Sequence, residues 1–496
     1  MIAYINKNKS NLITALKIAL IAAFAAMGLY SVINHEPWRD EAQAWLIARD
    51  CTLPQLFEQI SYEGHPALWH LILYPFAQGG ASFWCIYAIN GVFYIALLYL
   101  LFFKSPFSLW QSLAVAVASP VVCYSFEARS YMLMFLLLML CAFLYPKRRE
   151  RPILFAVSVL LLSNIHAHAI GAAGAMLLLS LLDLRRDFST LTPSLKKRRI
   201  ASLSIMAAGL ALFALQILPS LSKNRSVDAA ATSGGGELRQ IFDNISANLF
   251  VTYGSAAIEA GKVAICLVLI ALALACMFSL RRAVIFLGAT AFPVLFYVFV
   301  YYGHSEDLLI LLIFACWMLK NEPVDKQGIP QRIPRGAQLG AVCLLCGVLI
   351  FGIPHAKAYF ELNSSKVLCT SGSLQAAEFL NLPENQGKVL VAERPEQSSS
   401  IVPLLKGDRK LWYPYLGDYG SYITWSEALV STRKQTDTAK LTELIQANFN
   451  ESDSILVILT HALLPIDEAN KAHYTELFAT RNVRSDEDYV VFQFEW

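Results

Sequence analysis

The chain has 496 residues, 56% of them apolar and only 16% charged, with a net charge of +3. With a mean hydropathy of +0.48, it is too apolar for a soluble globular protein of this size and reads as a polytopic membrane protein. The basic residues follow membrane topology rather than one basic surface, which argues against a nucleic-acid partner.

Apolar runs recur at residues 12–33, 81–103, 107–125, 130–146, 152–165, 169–184, 200–219, 259–280, 283–302, 307–319 and 337–356. They predict about 11 membrane-spanning helices. The first run lacks a small-residue cleavage site and reads as a retained signal anchor. The runs at 152–165 and 307–319 are short for a ~30 Å hydrocarbon core, so each borrows flanking residues or lies in protein-lined surroundings.

Lys7, Lys9, Lys104, residues 147–151 and 185–199, Arg281, Arg282 and residues 320–335 fall on one side of these runs. The positive-inside rule makes that side, and the N-terminus, cytoplasmic. The opposite connections, and everything after about residue 356, are then external.

A composition break divides the chain into a transmembrane module, residues 1–356, whose first external loop is 34–80, and a polar domain, residues 357–496. In the polar domain, Ser373–Leu380 and residues 439–449 look helical. Residues 387–392, 454–459 and Tyr489–Phe494 look like strands, so this part is expected to be a small external α/β domain. Ser233-Gly234-Gly235-Gly236 is either a mobile loop over a site or a surface loop that tolerates glycine. Most of the ten cysteines lie within apolar runs. Only Cys51 and Cys369 are external, so at most one disulfide is expected. Asn244-Ile245-Ser246 matches a glycosylation sequon.

Ionisable residues cluster at the external ends of the runs. In Trp38-Arg39-Asp40-Glu41-Ala42, two carboxylates follow the first span between tryptophans of the type that settle at headgroup depth. On a surface helix, adjacent Asp40 and Glu41 point about 100° apart, so one can face a substrate while the other anchors the helix; helix capping is the simpler role. Ala42, Trp45, Leu46 and Ala48 face lipid or protein, with Gln43 and Arg49 elsewhere. His65, in Glu63-Gly64-His65-Pro66, stands at a helix mouth. It can bond a phosphate, pair with a carboxylate or serve as an interfacial structural residue. His70 reads as structural.

Glu127 and Arg129 share a short external link. There Arg129 either grips phosphate oxygens with its planar fork or closes the hairpin on Glu127. His166 and His168 do not share a helix face at i, i+2, so a metal held by both needs non-helical backbone. His304, Glu306 and Asp307 form a third polar group. Several such groups on one side of a membrane argue for an external site.

The ordered motifs resemble those of the GT-C-type polyprenyl-phosphate-sugar-dependent glycosyltransferases, in particular bacterial relatives of protein mannosyltransferases and aminoarabinose transferases. Trp38-Arg39-Asp40-Glu41-Ala42 resembles the acidic motif of their first external loop. Gly64-His65-Pro66-Ala67-Leu68 resembles a His-Pro-Pro-Leu segment with one proline replaced. Glu127-Ala128-Arg129-Ser130-Tyr131 is similar to a Glu-Ala-Arg-X-Tyr turn, and His166 or His168 followed by Gly171 resembles a further His-containing turn.

The resemblance covers about the first 180 residues. It implies a GT-C-like fold in a bacterial inner membrane and inverting transfer of a sugar from a polyprenyl-phosphate donor to a glycan, lipid or protein hydroxyl. Asp40 would be the general base, with Glu41 beside it. His65, Glu127, Arg129, His166, His168 and His304 would serve the donor phosphate or substrate. Hard oxygen ligands such as Asp40 and Glu127 would suit Mg²⁺ or Mn²⁺, although the sequence does not require a metal.

The alternative is a transporter or flippase for a lipid-linked saccharide, which would place charges within spans at mid-depth. The clustering at external helix ends favours catalysis. A third reading, a binding or assembly subunit that retained the fold without activity, is opposed only by the intact Asp40, Glu127 and Arg129.

Overall fold

The computed structural model describes residues 2–223, 279–299, 306–321, 369–425, 437–464 and 466–496. The chain forms two compact units: Met1–Leu29, Gly64–Leu68 and Ile89–Phe360 in the first, Tyr30–Glu63, Trp69–Ala88 and Glu361–Trp496 in the second. The glycine loop at 233–236, the sequon, His304, all but the last two residues of the run at 259–280, the run at 337–356 and the expected module boundary near 356 lie outside the described residues.

Among the described residues, five helices are long and apolar enough to cross a membrane: Asn11–Asn34, Cys85–Lys104, Ser130–Lys147, Ala167–Asp187 and Pro193–Pro219. The first is only 11% buried over its apolar window, as expected of a helix whose side chains meet lipid. Pro152–Ser163 and Leu309–Asn321 are shorter apolar helices. The run at 107–125 is not one helix. Ser108 caps Leu109–Ala116, Ala118 is extended (φ −64°, ψ 143°), and a separate short helix, Ser119–Cys123, carries Pro120 in its first turn. Proline lacks the N–H needed to continue the earlier helix and suits the start of a new one.

Helices of the first unit approach closely where side chains vanish. A Cβ on Gly288 would lie 2.3 Å from the Ala175 Cβ, and one on Gly209 2.9 Å from the Leu160 Cα. These contacts fasten Leu280–Phe299 against Ile170–Asp187 and Pro193–Lys223 against Pro152–Ser163.

The second unit contains a six-stranded mixed sheet of β1 (Val389–Ala392), β2 (Leu411–Tyr413), β3 (Asp418–Gly420), β4 (Ile455–Thr460), β5 (Tyr474–Ala479) and β6 (Tyr489–Phe494), in the order β3-β2-β1-β4-β6-β5. β1 runs parallel to β2 and β4; the other pairings are antiparallel. Alternate side chains feed two cores. Leu390, Ala392, Leu456, Ile458, Tyr489 and Val491 face Ser373–Leu380 and a helix from near the N-terminus, α1 (Arg39–Asp50), through Ala42 and Leu46. Val391, Ile455, Val457, Leu459, Val490 and Phe492 face Leu441 and Ile445 of Thr438–Asn448. The helix bearing Asp40 is therefore built into the α/β unit.

Cys51 and Cys369 are both buried free thiols. Gln43 is also buried and spans Glu63 and the Ile423 backbone.

Candidate functional site

In the second unit, α1 starts from a dense set of acceptors. Glu41, in its first turn, is completely buried. Its Oε2 meets the Trp38 N–H at 3.3 Å, the Tyr87 hydroxyl at 3.0 Å and His35 Nε2 at 2.8 Å. The Arg39 N–H, an otherwise unpartnered first-turn donor, bonds Glu487 Oε1 at 3.0 Å. The Arg39 guanidinium reaches Asp486 at 2.8 Å. Ser371 donates to the other Glu487 oxygen at 2.7 Å. Burial nevertheless pushes the Glu487 carboxyl up to about 7. Glu41 thus fixes the helix start, while adjacent Asp40 lines an open cavity of about 610 Å³.

That cavity is also lined by Arg39, Glu393, Arg394, Glu396, Trp425 and Asp486. Glu393 follows the end of β1, the conventional edge for ligand-facing residues in a sheet with parallel strands. Burial raises its carboxyl from 4.5 to about 7 against the opposing pull of Arg394, whose Nε lies 3.4 Å away. Its Oε2 is buried without a hydrogen-bond partner among the described residues. The wall containing Ile423 is held by reciprocal bonds with Gln43: Gln43 Nε2 to the Ile423 carbonyl at 3.0 Å and the Ile423 N–H to Gln43 Oε1 at 2.7 Å. Ser421 bonds Asp50 of the same helix. Paired cations and carboxylates beside an aromatic ring suit a polyhydroxylated substrate, with hydrogen bonds for its rim and a ring for its apolar face.

In the first unit, His65, Arg129, His166 and His168 belong to one connected group. Gly64 takes a left-handed φ of 70°, which turns the chain into His65-Pro66. Gln216 then accepts from the Ala67 N–H at 2.8 Å and donates to Asn164 Oδ1 at 2.8 Å, and the Leu68 N–H reaches the Asn164 carbonyl at 3.3 Å. This holds the His65 ring 5.7 Å from His166. Tyr131 stacks on Tyr124 at 4.6 Å, lies 5.0 Å from His166 and receives the Arg129 guanidinium over its face at 5.0 Å.

Asn90 fixes the turn before Arg129 by donating to the Tyr124 carbonyl at 2.8 Å, and the Arg129 N–H bonds the Glu127 carbonyl at 2.9 Å. His168 Nδ1 lies 2.6 Å from Asp307 Oδ2, and Tyr124 donates to Asp307 Oδ1 at 3.2 Å.

No family model and no curated protein matches the sequence. By fold, the chain is similar to a solved structure: ArnT from Cupriavidus metallidurans in the apo state aligns over 97% of this chain and 98% of its own, with a TM-score of 0.50 and 10% identity. The chain has a GT-C fold. The two residue groups come from the two units: Asp40 and Glu41 from the second, and His65, Glu127, Arg129, His166 and His168 from the first. Sequence reasoning overlooked Glu393, Arg394, Glu396 and Trp425, whose acid-rich stretch after a predicted strand was the available signal. It also passed over Tyr124 and Gln216, which lie in apolar runs where a single polar atom stands out little.

Proposed function

We propose that the chain is a membrane glycosyltransferase that moves a sugar from a polyprenyl-phosphate donor to an acceptor hydroxyl at the external face of a bacterial inner membrane. The observation that carries this reading is Asp40, held on the first turn of a buried helix and lining a cavity furnished with Arg39, Arg394, Glu393 and Trp425. The GT-C fold and the membrane-length helices support it.

The Asp40 carboxylate takes the proton of the acceptor hydroxyl as its oxygen attacks the anomeric carbon. The bond from that carbon to the phosphate oxygen breaks, the electron pair leaves with the polyprenyl phosphate, and the configuration inverts. Glu41 acts through Asp40: its three buried bonds set the helix start from which Asp40 projects. The resemblance would give the charge of the donor phosphate to Arg129, with His65 or a bound divalent ion beside it.

The reading is tested by incubating purified protein in lipid with a panel of polyprenyl-phosphate sugars and membrane extract as acceptor source. Transfer of one sugar with inversion is expected. Flipping of a lipid-linked saccharide without transfer would replace the enzyme with a transporter.

A further inference from the structure

We propose that His166, His168 and Asp307 form a binding site for Zn²⁺ or a similar transition-metal ion. One ligand atom from each lies within 4.8 Å of the others, and all three residues are buried. Two histidines spaced i, i+2 on a helix would point to different faces. Here the backbone departs from a helix at that place. His166 is extended (φ −155°, ψ 141°) and is followed by a single 3₁₀ turn, Ala167–Ala169. The two imidazoles consequently lie with centroids 4.8 Å apart. Asp307, from the first turn of Glu306–Asn321, brings its carboxylate to the same point.

Donor atoms around a tetrahedral zinc with bonds of 2.0–2.1 Å are about 3.3 Å apart. His168 Nδ1 and His166 Nδ1 stand 2.6 and 3.9 Å from Asp307 Oδ2, on either side of that value. Side-chain rotations of under about 1 Å would equalise them. The His168 N–H lies 3.3 Å from His166 Nδ1 and would yield to metal ligation there, unless ligation uses Nε2.

The surroundings resemble those of an oriented ligand set. Tyr124 donates to Asp307 Oδ1, leaving Oδ2 toward the histidines. His65 and Tyr131 rings flank His166. Two imidazoles and one carboxylate suit zinc and its neighbours in the transition series, whereas Mg²⁺ favours an all-oxygen shell. Three protein ligands leave a fourth position for an exogenous group. Metal binding here does not depend on the glycosyltransferase reading, because the measurement below reads metal and not turnover.

The full-length protein, purified in detergent without chelators, is dialysed against metal-free buffer, reloaded with Zn²⁺ alone and analysed by elemental mass spectrometry. About one zinc per chain is expected, falling below about 0.1 in His168→Ala and Asp307→Asn and unchanged in Asp40→Asn. Wild-type protein loaded with Co²⁺ should show the visible absorption of a low-coordinate nitrogen–oxygen site, and X-ray absorption of the zinc form should resolve two imidazoles. That pair of measurements decides the matter even if the variants fail to fold. Wild type without zinc above background, or full retention of zinc by folded His168→Ala, would overturn the site and leave a buried histidine–aspartate pair.

Discussion

Replacing Glu41 with alanine removes the carboxylate that joins His35, the Trp38 N–H and the Tyr87 hydroxyl, while leaving Asp40 in place. All three bonds are within 3.3 Å, and Glu41 has no exposed surface. Breaking a buried, multiply bonded carboxylate costs about 3–5 kcal/mol. In a domain of 150–250 residues, each kcal/mol shifts Tm by about 2–4 °C, so Glu41→Ala should lower the unfolding temperature of the second unit by about 6–20 °C. Glu41→Gln can place its amide oxygen where Oε2 accepts all three bonds and loses only the charge, so its cost should be about 1–2 kcal/mol. Tryptophan fluorescence during thermal unfolding in detergent measures both. A Glu41→Ala transition within about 2 °C of wild type would refute the anchoring role and return Glu41 to the candidates for direct chemistry.

Arg129→Ala should weaken binding of a polyprenyl-phosphate sugar by about tenfold or more, consistent with losing a charge-assisted phosphate contact; isothermal titration would show it, and unchanged affinity would leave Arg129 as a purely structural partner of Tyr131. Glu393 and Glu487 bind their protons up to about 7 when folded, against an ordinary 4.5. Between those values the folded state holds more protons, so stability must fall as pH rises. The second unit should be more stable at pH 5 than at pH 8 by on the order of 5 kcal/mol, with the difference roughly halved in Glu393→Gln; a pH-independent Tm would contradict the burial of these carboxyls. A cysteine introduced at Gly234 should react with an impermeant thiol reagent added outside intact cells; labelling only after lysis would invert the topology.

The sequence shows the elements more readily than their associations. Ser373–Leu380 and Tyr489–Phe494 appear at their expected limits because each is a short apolar run bounded by polar turns. β2 and β3, three residues each, are too short to display a period, and in β5 an exposed Glu476 follows buried Tyr474 on the same face and breaks the alternation. That Ala42 and Leu46 of α1 join the core beneath the sheet was hidden for another reason. Ala42 and Leu46 look equally suited to lipid, and nothing local indicates a partner some 350 residues downstream.

The break within 107–125 had its marker in Pro120, overridden by the continuous hydrophobicity around it. Asp40 and the histidines were visible because charges are rare in this chain. The cavity around Asp40 was not, because Arg394 and Trp425 join it only through the fold.

The most direct test of the account is sugar transfer by wild type and Asp40→Asn, each purified into lipid and supplied with the active polyprenyl-phosphate sugar, with donor affinity measured in parallel. The account predicts a loss of transfer of about 10²–10⁴-fold in the variant, as for removal of a general base, with donor affinity unchanged. Wild-type turnover by folded Asp40→Asn would remove Asp40 from the chemistry and contradict the mechanism.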